Sequence, residues 1–219
     1  MKAGVTVLYF YREHKPYLLS LMLLIFYTVG LFGINSSWRE EFLSLSFFNL
    51  LLSFSVLLLA QKKHTINFYV FLVLAFVVGM TAEWIGVHTG RLFGSYTYGQ
   101  NLGPTWWGVP PIIGINWAML TIISASCVAF LRWNWLIKAF LGALLMLFLD
   151  LLIEPVAIQI DYWTWHGEIP IYNYVTWFLI ALFLHGWYFK TNLAEPNKVA
   201  IVLYNLQVVF FGTLLITLA

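Results

Sequence analysis

Charge is scarce in this chain: 11 basic and 9 acidic residues stand among 219, or 9% of the whole. A soluble domain carries nearer a quarter, so too little polar surface exists here to coat a globule in water. Disorder and a collagen-like repeat fall with it, since they need polar or glycine-rich composition. The net charge of +2 comes without a basic cluster, and no nucleic-acid partner is expected. A single cysteine, Cys127, lies inside an apolar run, which leaves no disulfide and no cysteine metal site. Several chemical signatures are also missing. There is no Asp-Asp-x-x-Asp cluster for magnesium-diphosphate chemistry and no glycine-rich dinucleotide loop. His14, His64, His88, His166 and His185 form no His-x3-His box, so a membrane di-iron oxygenase is not expected. The seventh apolar run has no lysine for a retinal Schiff base. Neither metal nor cofactor is expected.

What remains is 62% hydrophobic, with 19 Phe, 12 Tyr and 11 Trp. A membrane-spanning helix needs about 20 mostly apolar residues. Seven runs qualify: Tyr17–Ile34, Phe42–Ala60, Ile66–Val87, Val109–Leu131, Trp135–Ile160, Ile171–Phe189 and Val199–Leu218. Backbone groups cannot stay unpaired in lipid, so the sequence predicts an all-α, polytopic helical bundle. No linker divides it, and one transmembrane domain over residues 1–219 is expected. The first run lacks a small-x-small cleavage site and follows a charged stretch, unlike a secretory leader. With the N-terminus inside, Lys2, Arg12, Lys15, Lys62, Lys63, Arg132, Lys138, Lys190 and Lys198 fall on cytoplasmic segments, and Arg39 and Arg91 outside. That is the positive-inside bias. The connections His88–Gly108 and Asp161–Pro170, rich in aromatic and turn residues, then lie on the outer face. They echo each other: Pro110 precedes Trp117 by seven residues, as Pro170 precedes Trp177.

Six of the acids sit at helix ends or in loops. Glu83, Asp150 and Glu154 do not. At about 1.5 Å per residue, Glu83 lies roughly 10 Å outward of its helix middle, Glu154 at similar depth, and Asp150 one turn deeper. Asp150 and Glu154 are four apart and share a face. Carboxyls at this depth are costly unless they face the bundle interior, and they mark functional sites by default. The plainer alternative is a hydrogen-bond network tying helices together through Asn116 or His185. Two carboxyls this close in a poorly solvated place favour keeping a proton on one of them. Pro155 removes a helix hydrogen bond beside Glu154, so a kink or break is expected, with Val156–Pro170 as a cap over a cavity. At least one of the close pair is therefore the expected proton donor.

The outer segments carry a pattern. Glu83-x-x-Gly86-x-x-x-Gly90-x-x-Phe93-Gly94-x-Tyr96-x-Tyr98 precedes Leu102-Gly103, Gly108-Val109-Pro110 and a helix bearing Trp117. Later come Asp150-x3-Glu154-Pro155-x-Ala157, Trp163-x-Trp165 and Pro170-x-x-Asn173-x-x-x-Trp177. Many of these aromatics would also suit interfacial anchoring. Together, over roughly residues 66–189, the motifs resemble the membrane carotenoid biosynthesis proteins that hydrate carotenoid end groups, among them the bisanhydrobacterioruberin and γ-carotene hydratases. The chain departs at Glu168-Ile169-Pro170, where such proteins often have glycine before the proline.

The resemblance implies a cofactor-independent lyase that adds water to the terminal isopropylidene double bond of a ψ-end carotenoid. It implies catalysis by Asp150, Glu154 and Glu83, and substrate contacts from Trp84, Phe93, Tyr96, Tyr98, Trp117, Trp163, Trp165, Asn173 and Trp177. His88, Arg91 and Asn116 are the other polar candidates. The partners implied are an apolar carotenoid, membrane lipid and other enzymes of the pathway, in the cytoplasmic membrane of a bacterium or archaeon. A carotenoid cyclase, which would quench a similar cation by ring closure, stays open, as does a proton-coupled transporter or lipid-binding protein. The transporter would need access from both faces, whereas the three acids lie in the outer half.

Overall fold

The computed structural model describes residues 2–218, with side chains from His14 onward. Lys2, Arg12 and Glu13 fall outside the described side chains. Among the described residues there are eight helices: α1 Lys2–Ile34, α2 Arg39–Ser44, α3 Ser46–Ala60, α4 Ile66–Thr89, α5 Pro111–Val128, α6 Trp135–Gln159, α7 Ile171–Lys190 and α8 Lys198–Thr217. Each apolar run therefore folds as helix, and the second is split in two at Leu45. There the Leu45 amide bonds to the Phe42 carbonyl in a tighter turn before Asn49 returns to Leu45. Five helices (α1 from His14, α4, α5, α6 and α8) are long and apolar enough to cross a membrane. This is a helical membrane bundle.

Helix starts follow local chemistry. Thr65 caps α4 by accepting from the Phe68 amide, Asn134 caps α6 from Ile137, and Asn197 caps α8 from Val199 and Ala200. Helix α5 opens on Pro111, which lacks an amide hydrogen where none is needed. It is buried nearly all round and packs against α3, α4, α6, α7 and α8, as a uniformly apolar helix should. Helix α8 begins one residue earlier than expected, so Lys198 joins it, with its ammonium over the Tyr17 ring.

Side-chain hydrogen bonds join distant parts of the chain at each end. Arg39 donates to the Gln159 carbonyl at one end, and the Lys62 amide reaches the Glu195 carboxylate at the other. At the first end the aromatic loops make a two-stranded ribbon, β1 Tyr96–Tyr98 antiparallel to β2 Trp163–Trp165. The register pairs Tyr96 with Trp165, Thr97 with Thr164 and Tyr98 with Trp163. Further stitches run from Gly99 to Tyr162, from His166 to Ser95 and from Asn101 to Ile160. The expected break at Pro155 does not occur: α6 runs through it to Gln159. The proline costs α6 one amide donor, the one that would meet the Leu151 carbonyl, and the helix continues for one more turn beyond it.

Candidate active site

Strand geometry alternates side chains between two faces. In Tyr-Thr-Tyr and Trp-Thr-Trp it turns both threonines outward to exposed positions, while the four aromatics reach back into the bundle. The two tyrosines meet Glu83. Its Oε2 accepts from the hydroxyls of Tyr96 at 2.5 Å and Tyr98 at 2.7 Å, and its Oε1 from the Trp117 indole at 3.1 Å. Burial, and then the Glu83 carboxyl, hold both phenols above the ordinary tyrosine range, so they stay donors. The two tryptophans meet Glu154, whose Oε1 accepts from Trp163 at 2.7 Å and Trp165 at 2.5 Å. Each glutamate thus hangs from its own strand. Trp117 and Trp177, each seven residues beyond a cap proline, stack face to face at 4.0 Å. The echo in the sequence is an echo in space.

Close packing makes this possible. A Cβ added at Gly86 would stand 2.6 Å from the Phe93 ring and 2.9 Å from the Tyr96 hydroxyl. One at Gly79 would strike Trp117 at 2.5 Å. Bare backbone at these two turns of α4 lets the aromatics come down onto Glu83.

Asp150 is placed differently. It is 1% exposed, and its Oδ2 finds no hydrogen-bond partner among the described residues. The same holds for Asn173 Nδ2 and Gln207 Oε1, both buried. All three residues line one cavity of about 60 Å³, together with Glu83, Glu154 and Asn116. Its remaining wall is aromatic and aliphatic, and includes Phe93, Tyr96, Tyr98, Trp163, Trp165 and Trp177. At roughly 15 Å³ per water, this space takes about four waters or the tip of a slender hydrocarbon. Buried polar groups normally carry partners, so three orphans facing one small cavity mark a place built to hold something polar beside something apolar.

Most of the expected residues therefore converge. Trp117 stands one layer back, as donor to Glu83 and stacking partner of Trp177. Trp84, His88 and Arg91 lie apart from the cavity. One residue turns a helix by about 100°, so with Glu83 facing inward Trp84 faces out, 45% exposed, against His88. It lines a separate groove with Trp106 and Trp107, while His88 and Arg91 are exposed. His185 is satisfied elsewhere, between Ser124 and the Ala181 carbonyl. Sequence reasoning missed Tyr162 and Gln207. An amide amid the apolar residues of α8 carries the same cost signal as the acids and could have flagged the second, although Asn205 on the same helix is exposed. Among the described residues, no three His, Cys, Asp or Glu side chains come together as metal ligands would.

Comparison with known proteins adds the family. No curated protein and no solved structure matches the chain. A family model described as carotenoid biosynthesis protein matches residues 43–219, a longer stretch than the motifs alone cover. That match takes in all of α3 to α8 with both strands, and the chain belongs to the carotenoid biosynthesis protein family.

Proposed function

We propose that the chain is a carotenoid end-group hydratase, a hydro-lyase acting on the terminal isopropylidene double bond of a ψ-end carotenoid. The observation that carries this reading is the cavity in which Asp150, with its Oδ2 unpartnered, faces aromatic rings together with Asn173 Nδ2 and Gln207 Oε1, which also lack partners. Glu83 and Glu154 already receive several donors, which match the ionised form. Asp150 receives none at Oδ2 and is suited to hold a proton. In the reaction Asp150 gives that proton to the chain-side carbon of the double bond. The π electrons form the new C–H bond, and a tertiary cation remains on the carbon bearing two methyl groups. Ring faces of Phe93, Tyr96 and Trp177 steady the cation. Water, held by Asn173, Asn116 and Gln207, forms the C–O bond. Its extra proton passes to Glu154 and returns to Asp150, one helical turn away. Glu83 is the anchor of β1 and closes the network from α4. The amides favour hydration over ring closure, because a cyclase gains nothing from groups that hold water at the cation.

Cells that accumulate lycopene or γ-carotene should, on receiving the gene, form a tertiary alcohol one water heavier. A ring-closed isomer of unchanged mass would replace this reading with the cyclase.

We also propose seven crossings by one domain, counting α2 with α3 and including α7, with the N-terminus inside. The basic residues near Lys63, Arg132 and Lys190 support it. Helix α7 is less apolar because it carries Asn173 and His185 inward. Reporters fused after Lys63 or Lys190 should be cytoplasmic and one at Ala219, outside the described residues, external. A cytoplasmic reporter at Ala219 would remove one crossing and the matched depth of the acids. The membrane would be the cytoplasmic membrane of a bacterium or archaeon, with other enzymes of the pathway as partners.

A further inference from the structure

The acid cavity is far too small for a whole carotenoid, so on the hydratase reading the long chain must leave it through one wall. Two larger hollows lie nearby. The groove beside Trp84, about 480 Å³, has no wall residue in common with the acid cavity. The other, about 340 Å³, runs between α1, α2, α3 and α8 and shares Leu50, Tyr162, Gln207 and Phe211 with it. Its outer margin is formed by Phe26, Val29 and Phe48, all about half or more exposed on the flank of the bundle. We propose that this second groove is the binding site for the extended apolar polyene chain of the substrate.

At the junction stands a small polar cluster. Gln207 Nε2 donates to the Tyr27 hydroxyl at 3.2 Å, and the Ser53 hydroxyl donates to the same oxygen at 3.4 Å. These bonds fix the Gln207 side chain where groove and cavity meet, with Oε1 unpartnered. A rod passing Gln207 would have its reactive end under the β1–β2 ribbon and its apolar length against α1 and α8. The groove wall is mostly apolar, with Phe26, Val29, Phe42, Phe48 and Phe210 along it, which suits an apolar chain.

This inference rests on the hydratase reading for the substrate's class, yet it can fail separately. A conjugated polyene carrying a diazirine near mid-chain should, on illumination in membranes holding the intact protein, attach to residues 26–52 or 207–211. Attachment to residues 76–84 or 106–107 would overturn the proposal. So would labelling that saturated acyl chains suppress as well as unlabelled polyene does. Because labelling needs no turnover, groove adducts without alcohol product would leave the groove standing and remove the hydratase reading. Alcohol product with adducts beside Trp84 would do the reverse. A second arm fills the groove at Gly30, where a new Cβ meets only Phe210, at 3.7 Å. Gly30→Phe should raise KM for the long substrate by about tenfold or more, the loss for displacing roughly two methylene groups from an apolar wall. Turnover of a short hydrocarbon bearing the same isopropylidene end should be unchanged in that variant. Equal losses for both substrates in a correctly folded protein would contradict a site specific to the chain.

Discussion

Asp150→Asn should lower product formation by a factor of about 10² to 10⁴, the usual effect of losing an essential general acid, with normal yield of folded protein. The substitution keeps size and shape. It removes the one proton that the mechanism transfers to carbon. Stability should hardly change, because Asp150 Oδ2 has no hydrogen bond to lose. Glu154→Gln tests the neighbouring role. It keeps an oxygen for the indoles of Trp163 and Trp165 while removing the base, so activity should again fall with the fold intact. Glu40→Gln, on the exposed first turn of α2, is the control and should be silent. Rates on pigment-loaded membranes, normalised to protein amount, make the comparison. Should Asp150→Asn retain near-normal rates while Glu83→Gln is inactive, the donor would be Glu83. If all three buried-acid variants worked normally, the carboxyls would be structural.

Glu83→Leu should do the opposite kind of damage. Three donors, from Tyr96, Tyr98 and Trp117, converge on that carboxyl in a buried place. Each stranded donor costs about 1–3 kcal/mol, so the variant should lose several kcal/mol and much of its thermal stability in detergent. Adding Tyr98→Phe removes one of the stranded hydroxyls and should restore part of the loss. A double variant no more stable than Glu83→Leu alone would show that the hydrogen bonds to Glu83 do not hold the ribbon in place. Two acids thus share one cavity wall, one expected to matter for the fold and the other for the chemistry.

Much of this was legible in the sequence for a simple reason. Hydrocarbon makes polar groups expensive, so a carboxyl within an apolar run is informative by itself, and Glu83, Asp150 and Glu154 do meet at one cavity. Two helix starts, Ile66 and Trp135, coincide with the starts of apolar runs, and in the structure each follows a capping side chain, Thr65 or Asn134. The ribbon was not foreseen, although aromatic-Thr-aromatic at both sites is a period-two signal. Three residues are too few to distinguish a strand from a loop, and the pairing of Thr97 with Thr164, far apart in the chain, is fixed only by tertiary packing. Trp84 illustrates a different limit. It stands next to the key acid in the chain and points away from it in space, because helical periodicity separates neighbours. Pro155 illustrates a third, since a proline removes one hydrogen bond without having to end a helix that packing holds, and α6 continues through it to Gln159.

If water activated at an acid site supplies the oxygen of the product, isotope tracing will show it directly. Lycopene or γ-carotene should be converted in membranes containing the protein, in heavy-oxygen water under ordinary O2. The tertiary alcohol should carry the label from water, and a parallel run under labelled O2 in ordinary water should give unlabelled product. Label arriving from O2 would contradict acid-catalysed hydration, and with it Asp150 as proton donor and Glu154 as the base that receives the water proton.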